Sequence, residues 1–356
     1  MKISRTESLK EKWGLGAVPR CSLGSCPIAK YAELKRLVEQ EGLLAKQPAY
    51  YIWNSLFTLA LLALSLIFLA AAHDFRLQLL NATFLAFVFC QLSFIVHDAG
   101  HRQISEVAEI NDLIGLVCTN LLLGLSFSYW RQSHNKHHAN ANQRDVDPDI
   151  DIAVLAFSEE EACNKKGVLR LIAKYQAYFF IPMLLFDSIR RRKEAIEFLL
   201  QTEFRPARSE YLLLAAHYAL GLAFLFHVLG VSQALVFFLV QQGAYGLFMA
   251  SIFAPNHKGM PILDKDNQMD FLRRQVLTTR NVKAHPFTDF WYGALNYQIE
   301  HHLFPTMPRN KLKQSQEIIR TFCEKNSIKY YETSALESYS EVLKYLHRVG
   351  ASLRRD

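Results

Sequence analysis

Eight of the 13 histidines of this 356-residue chain fall into three tight groups and one outlier: His97 with His101, then His134 with His137 and His138, then His301 with His302, and His257 between the last two groups. Imidazole ligates iron, copper, zinc and nickel, so residue type alone confines the chemistry to that set of metals. Spacing sharpens the reading. In His97-Asp98-Ala99-Gly100-His101 the rings are four residues apart and project from one helix face about one turn apart. His134, His137 and His138 take positions i, i+3 and i+4, which again share a face. The run Gln298-Ile299-Glu300-His301-His302 repeats that layout with Gln298 standing where His134 stands. A lone histidine in an apolar helix, such as His217 or His227, is more often a core residue, whereas three groups built to one rule define a metal site.

The elements that carry these groups are apolar. Hydrophobic residues make up 51% of the chain and aromatics 12%, which suits a polytopic membrane protein with a large polar part. Tyr51 to Ala72 carries no charge, and at about 1.5 Å per residue it covers a hydrocarbon core of about 30 Å. Four spans are predicted: Tyr51 to Ala72, Leu77 to Val96, Tyr211 to Leu229 and Gln233 to Phe253. The runs Ile110 to Phe127 and Leu169 to Ile189 are also apolar, but a single crossing at either would put histidine groups on opposite sides of the membrane. Both are therefore expected to be interfacial or re-entrant; the second also holds Arg170, Lys174, Pro182 and Asp187.

The fold class is thus all-α, with four transmembrane helices in two hairpins, interfacial helices and a cytosolic helical cap carrying the metal site. Three regions are expected: a cytosolic N-terminal region over residues 1–50, a membrane domain over 51–309 and a cytosolic helical tail over 310–356. The short links His73 to Arg76 and Gly230 to Ser232 hold one Lys or Arg between them, whereas Arg190, Arg191, Arg192 and Lys193 lie on the histidine side. By the positive-inside rule that side, with both termini, is cytoplasmic. The net charge of +7 reads as membrane orientation and attraction to anionic lipid; no motif accompanies it that would support nucleic-acid binding. No secretory signal is read in Met1 to Gln47, which has an amphipathic helix expected around Tyr31 to Gln40. Cys21 and Cys26 form a loose pair, weak as a zinc or redox signal.

His97-Asp98-Ala99-Gly100-His101, Trp130-Arg131-Gln132-Ser133-His134-Asn135-Lys136-His137-His138 and Gln298-Ile299-Glu300-His301-His302-Leu303-Phe304-Pro305 resemble the three histidine boxes of the integral-membrane fatty acid desaturases. The Gln-initiated third box is most similar to the front-end and acyl-lipid branch, including linoleoyl-CoA desaturase-like proteins, and the resemblance runs from about Tyr51 to about Arg309. It implies a non-haem diiron centre, O2 as oxidant, and a double bond, normally cis, placed in a long acyl chain of an acyl-CoA or acyl-lipid. It carries the metal ligands onto His97, His101, His134, His137, His138, His301 and His302, and a further one onto His257 in Asn256-His257. Gln298 either ligates iron through its amide oxygen or holds a water, and both readings stay open. Asp98, Asn256, Asp145, Asp147 and Asp149 are candidates to brace the ligating rings from behind, while His285 lies outside the repeated spacing and is read as a non-ligand.

Reduction of O2 to two waters takes two electrons beyond the pair drawn from the substrate. The sequence shows no nucleotide-binding Gly-rich fingerprint, no cysteine cluster for an iron–sulfur centre and no His-Pro-Gly-Gly haem motif. An external donor, a ferredoxin or a flavin reductase docking on the basic face, is expected to supply them. Rival functions on the same residues are a lipid hydroxylase on the same scaffold, a haem-bearing membrane electron carrier, and a transporter with regulatory histidines.

Overall fold

The computed structural model of the protein describes residues 27–201 and 207–354; Cys21 and Cys26 lie outside the described residues. Helices dominate: α1 (Pro27–Gln40), α2 (Pro48–Ala71), α3 (Phe75–Gly100), α4 (Ala108–Leu116), α5 (Phe127–Ala139), α6 (Glu159–Asn164), α7 (Gly167–Lys174), α8 (Gln176–Leu184), α9 (Asp187–Leu200), α10 (Arg208–His257), α11 (Phe271–Leu277), α12 (Pro286–Trp291), α13 (Gln298–Leu303), α14 (Leu312–Lys325) and α15 (Ala335–Val349). The strands among the described residues are β1 (Asn281–Val282) and β2 (Glu332–Thr333), a parallel pair with Asn281 opposite Glu332. The described residues separate into two compact units, one of residues 46–134 and 180–251, the other of 27–45, 135–179 and 252–354.

The first unit is built from apolar helices. Three described helices, α2, α3 and α10, are long and apolar enough to cross a membrane, and the bent pair Ala108–Leu123 with Phe127–Ala139, turned through 115°, is a fourth if counted as one span. Pro48 starts α2, where its missing N–H costs nothing. Asp74 caps α3 by accepting from the Arg76 N–H at 2.8 Å. Buried amides clasp the α2–α3 hairpin: Asn81 accepts from the Ser65 hydroxyl at 2.8 Å and donates to the Ser65 carbonyl at 3.1 Å, and Gln78 donates to the Leu69 and Ala72 carbonyls. In an apolar surround such pairs hold helices together because their alternative is an unsatisfied polar group.

α10 is a 50-residue helical run broken at Gly230, whose φ of 68° is open to glycine. The chain doubles back there. Tyr218 donates to the Gly124 carbonyl at 2.9 Å, the same oxygen takes a hydrogen bond from Arg192, and Arg192 also donates to Gln242 at 2.9 Å. A straight helix would hold residues 218 and 242 about 36 Å apart, so the break falls within the link expected at Gly230 to Ser232. The run Ile110 to Phe127 is α4 followed by a π-helical turn, Val117–Leu123, and a left-handed Gly124. Leu169 to Ile189 is divided among α7, α8 and the start of α9, each short of a bilayer's thickness.

In the second unit, α1 lies against α11 and α14; Tyr31 donates to the Leu303 carbonyl at 2.9 Å and stacks on Phe304. Asn142 organises the loop after α5 by donating to the His257, Pro261 and Thr278 carbonyls. Arg280, fully buried, binds the Pro255 and Lys258 carbonyls and the Glu341 carboxylate, fixing the chain around His257.

Candidate metal centre

In the first unit, α3 delivers the first histidine pair at its end. The helix closes at Gly100 and His101 is its C-cap, yet the His101 N–H still reaches the His97 carbonyl at 3.1 Å, so the one-turn spacing is kept. The ring nitrogens of His97, His101 and His134 lie within 4.8 Å of one another. Trp130 stacks on His134, ring centroids 4.8 Å apart and planes 22° apart. Gly100 makes room for that indole: a Cβ there would lie 2.2 Å from the Trp130 ring. His97 Nδ1 is 3.2 Å from Asp98 Oδ1, and both residues are buried.

In the second unit, the adjacent histidines of α5 part company. His138 Nε2 lies 3.1 Å from His301 Nε2. His137 groups instead with His257 and His302, the three offering ring nitrogens within 4.8 Å of one another. His137 Nδ1 sits 2.9 Å from Asp147 Oδ1 and 3.7 Å from Asp149. His302 Nδ1 is 2.9 Å from the Gln275 amide oxygen. A carboxylate or amide oxygen only accepts, so in both rings Nδ1 carries the proton and Nε2 presents its lone pair. α11 supplies Gln275, which also donates to the His138 carbonyl at 2.8 Å and so ties α5 to α13.

This donor set fits a metal. Two imidazole nitrogens each about 2.0–2.1 Å from one ion stand about 2.9–3.4 Å apart for right-angle to tetrahedral geometry, and the His138–His301 separation of 3.1 Å lies in that range. The carboxylate behind His137 repeats a common bracing of metal-bound imidazole.

The Gln298 amide has a fixed direction. Asn256 donates to the Leu295 carbonyl at 3.0 Å and to Gln298 Oε1 at 3.1 Å, which leaves the Gln298 nitrogen 3.0 Å from His257 Nε2. Turning the Gln298 amide over would set two donors face to face. Its oxygen is therefore engaged with Asn256, and its N–H points at His257. Glu300 lies on α13 but turns away from the ring cluster to Tyr330, at 2.6 Å, and Asn281, at 2.6 Å. Burial pushes its carboxyl up to about 7 against the pull of those hydrogen bonds.

Among the acidic candidates for bracing, Asp147 and Asp149 reach His137, while Asp145 is exposed at a φ of 61°. His285 caps α12 by accepting from the Phe287 N–H, and His217 Nδ1 faces the Leu121 carbonyl at 2.8 Å. Gln275 and Asn142 were not singled out in the sequence, where they carry no spacing signal, and Trp130 appears there only as the first residue of the second box. The basic run after Ile189 is largely consumed within the protein. Arg190 pairs with Asp187 and Glu194, Arg191 with Asp187, and buried Arg192 donates to the Leu123 and Gly124 carbonyls and Gln242; Lys193 is the exposed member of the run and pairs with Glu197.

Apolar helices of membrane-crossing length together with buried, braced imidazole clusters able to hold metal fit a membrane-type enzyme of the histidine-box kind. The family model described as "Fatty acid desaturase" matches residues 75–334, and the chain belongs to that family. It is 29% identical to the Delta(6)-fatty-acid desaturase fat-3 of Caenorhabditis elegans, over 92% of this chain and 76% of the relative. It is likewise 29% identical to the Acyl-lipid (9-3)-desaturase of Physcomitrium patens, over 97% and 67%. The Delta(8)-fatty-acid desaturase of Euglena gracilis is 27% identical over 89% and 77%. These are front-end desaturases, the branch indicated by the third box, and the protein is an oxidoreductase that desaturates fatty acyl chains.

Proposed function

We propose that the protein is an integral-membrane, non-haem diiron desaturase that uses O2 to place a cis double bond in a long acyl chain carried on CoA or on a glycerolipid. The observation that carries this reading is the His137–His257–His302 triad, with His137 braced by Asp147 and His302 by Gln275. These three would hold one iron. The remaining histidines of the boxes would serve the second, as the resemblance to the family implies. When bound, the irons supply the reductive activation of O2 that an unactivated C–H bond demands.

The chain's own part is to fix tautomers and exclude water. Asp147 and Gln275 hold protons on Nδ1 of His137 and His302, and the Gln298 amide, its oxygen held by Asn256, lies beside the His257 ring. Overall the acyl chain loses two hydrogens, and these with two protons and two electrons convert O2 to two waters. We assign the electrons to a separate ferredoxin or flavin reductase. We assign four spans in two hairpins, with both termini and the metal site cytoplasmic; the reversal at Gly230 and the distribution of basic residues support this reading.

Expression in a host of known fatty acid composition tests the function. A new double bond, located by mass spectrometry and absent with His137→Ala, is expected; a hydroxylated product, heavier by one oxygen, would reassign the enzyme to the hydroxylases.

A further inference from the structure

A cleft of about 760 Å³ opens in the first unit between α2, α3 and α4, on the side of α3 away from its histidines. The wall is apolar: Ile52, Leu56 and Leu59 from α2, Leu92 and Ile95 from α3, and Leu113 from α4. At about 100° per residue, Leu92 and Ile95 lie within about 60° of each other, whereas His97 and His101 fall about 200–240° round from Ile95. A chain seated here is therefore turned away from the histidines of α3, and the cleft is distinct from a channel that presents substrate to them.

Three features define what fits. The volume lies within the range of built ligand pockets, about 300–1,000 Å³. Its lining on α2 runs from Pro48 to Leu59, about 17 Å at 1.5 Å per residue, close to one leaflet of a hydrocarbon core of about 30 Å. Its charged groups are at one end, where Lys46 and Glu106 line the mouth with Ser105, while Ser55 is a small neutral hydroxyl on the α2 wall. The Glu106 carboxylate acts on the Lys46 ammonium, whose pKa burial pulls down. Opposite charges on one rim complement a headgroup that itself carries both signs. Much of the wall also faces outward: Leu56 is 55% exposed on α2, which is apolar enough to sit in lipid, and Leu113 is 61% exposed on α4.

We propose that this cleft binds one zwitterionic phospholipid of the bilayer, its phosphate toward Lys46, its amine toward Glu106 and one acyl chain along α2, as a structural lipid separate from the substrate. Tyr51 connects the site to the first histidine box. It lines the cleft and donates to buried Gln103 at 2.9 Å, two residues after His101. An occupied cleft thereby steadies the end of α3.

Native mass spectrometry of the full chain released from nanodiscs containing equal phosphatidylcholine and phosphatidylglycerol tests the assignment. One retained phosphatidylcholine per chain is expected, reduced about tenfold or more by Leu56→Trp with Leu113→Trp, which fill the cleft from exposed positions, and about as much by Lys46→Glu at the rim. His302→Ala should retain the lipid even where it loses metal, so failure of the metal assignment and failure of this one are told apart. Retention unchanged by both the filling and the rim variants, equal retention of phosphatidylglycerol, or no retained lipid in the wild type would overturn the proposal.

Discussion

Asp147 holds His137 by a 2.9 Å contact to Nδ1 while also accepting from the backbone N–H groups of Asn142, at 2.7 Å, and Asp149, at 2.9 Å. The carboxylate is thus built into the loop that follows α5, and the loop sets the ring. His137 Nδ1 faces this carboxylate inside the buried cluster, and this makes Asp147 an informative residue to alter.

Asp147→Asn keeps the size of the side chain, sets an NH2 where one accepting oxygen stood, and removes the charge behind the imidazole. Metal affinity should fall about 10- to 100-fold, the usual cost of losing such a partner, with helical content unchanged by circular dichroism. Metal titration of the purified variant reads this directly, and an affinity equal to that of the wild type would remove Asp147 from the site.

Gly100→Ala tests the close approach of α3 to Trp130. A methyl at 2.2 Å from the indole forces the ring to move, and with it the His134 ring stacked on its other side. A displacement near 1 Å at a reacting centre costs about 10²-fold in rate, so the variant should assemble in the membrane yet lose desaturation by that order. Product analysis showing wild-type conversion would mean that Trp130 does not position His134.

Asn256→Ala removes the donor that satisfies the Leu295 carbonyl and fixes the Gln298 amide. A buried acceptor left without its partner costs about 1–3 kcal/mol, so thermal unfolding should come at a lower temperature, and the released Gln298 should lower activity further than stability alone explains. Equal stability with full activity would contradict the locked amide.

Arg192→Ala and Lys193→Ala separate neighbours in the basic run. Arg192 is buried and gives hydrogen bonds to three acceptors on two other segments, so its loss should destabilise by about 3 kcal/mol or more. Lys193 is exposed and paired only along its own helix, and its loss should change stability by less than about 0.5 kcal/mol. Chemical denaturation of both variants checks the contrast; similar effects would mean that Arg192 is not the tie between α9 and the turn at Gly124.

The histidine groups were legible in the sequence because helical spacing places i, i+3 and i+4 together without help from the rest of the chain. Gly230 to Ser232 was legible as a link because a glycine interrupts an uncharged run too long for one crossing. The division of His137 from His138 was not: two adjacent residues differ by about 100° on a helix, and which neighbour each meets depends on α13 and on the loop carrying Asp147. Gln275 left no trace either, since its partners are His302 and the His138 carbonyl, far away in the chain. The basic run after Ile189 reads only as orienting charge, although Asp187, Glu194 and Glu197 stand at helical pairing distance in the same segment and pair with most of it.

Metal content of anaerobically purified protein tests the central claim most directly. Elemental analysis should return about two irons per chain, falling in His137→Ala and His302→Ala while the protein stays folded. Folded wild-type protein that holds only traces of metal, and takes up no ferrous iron when it is offered, would contradict the account.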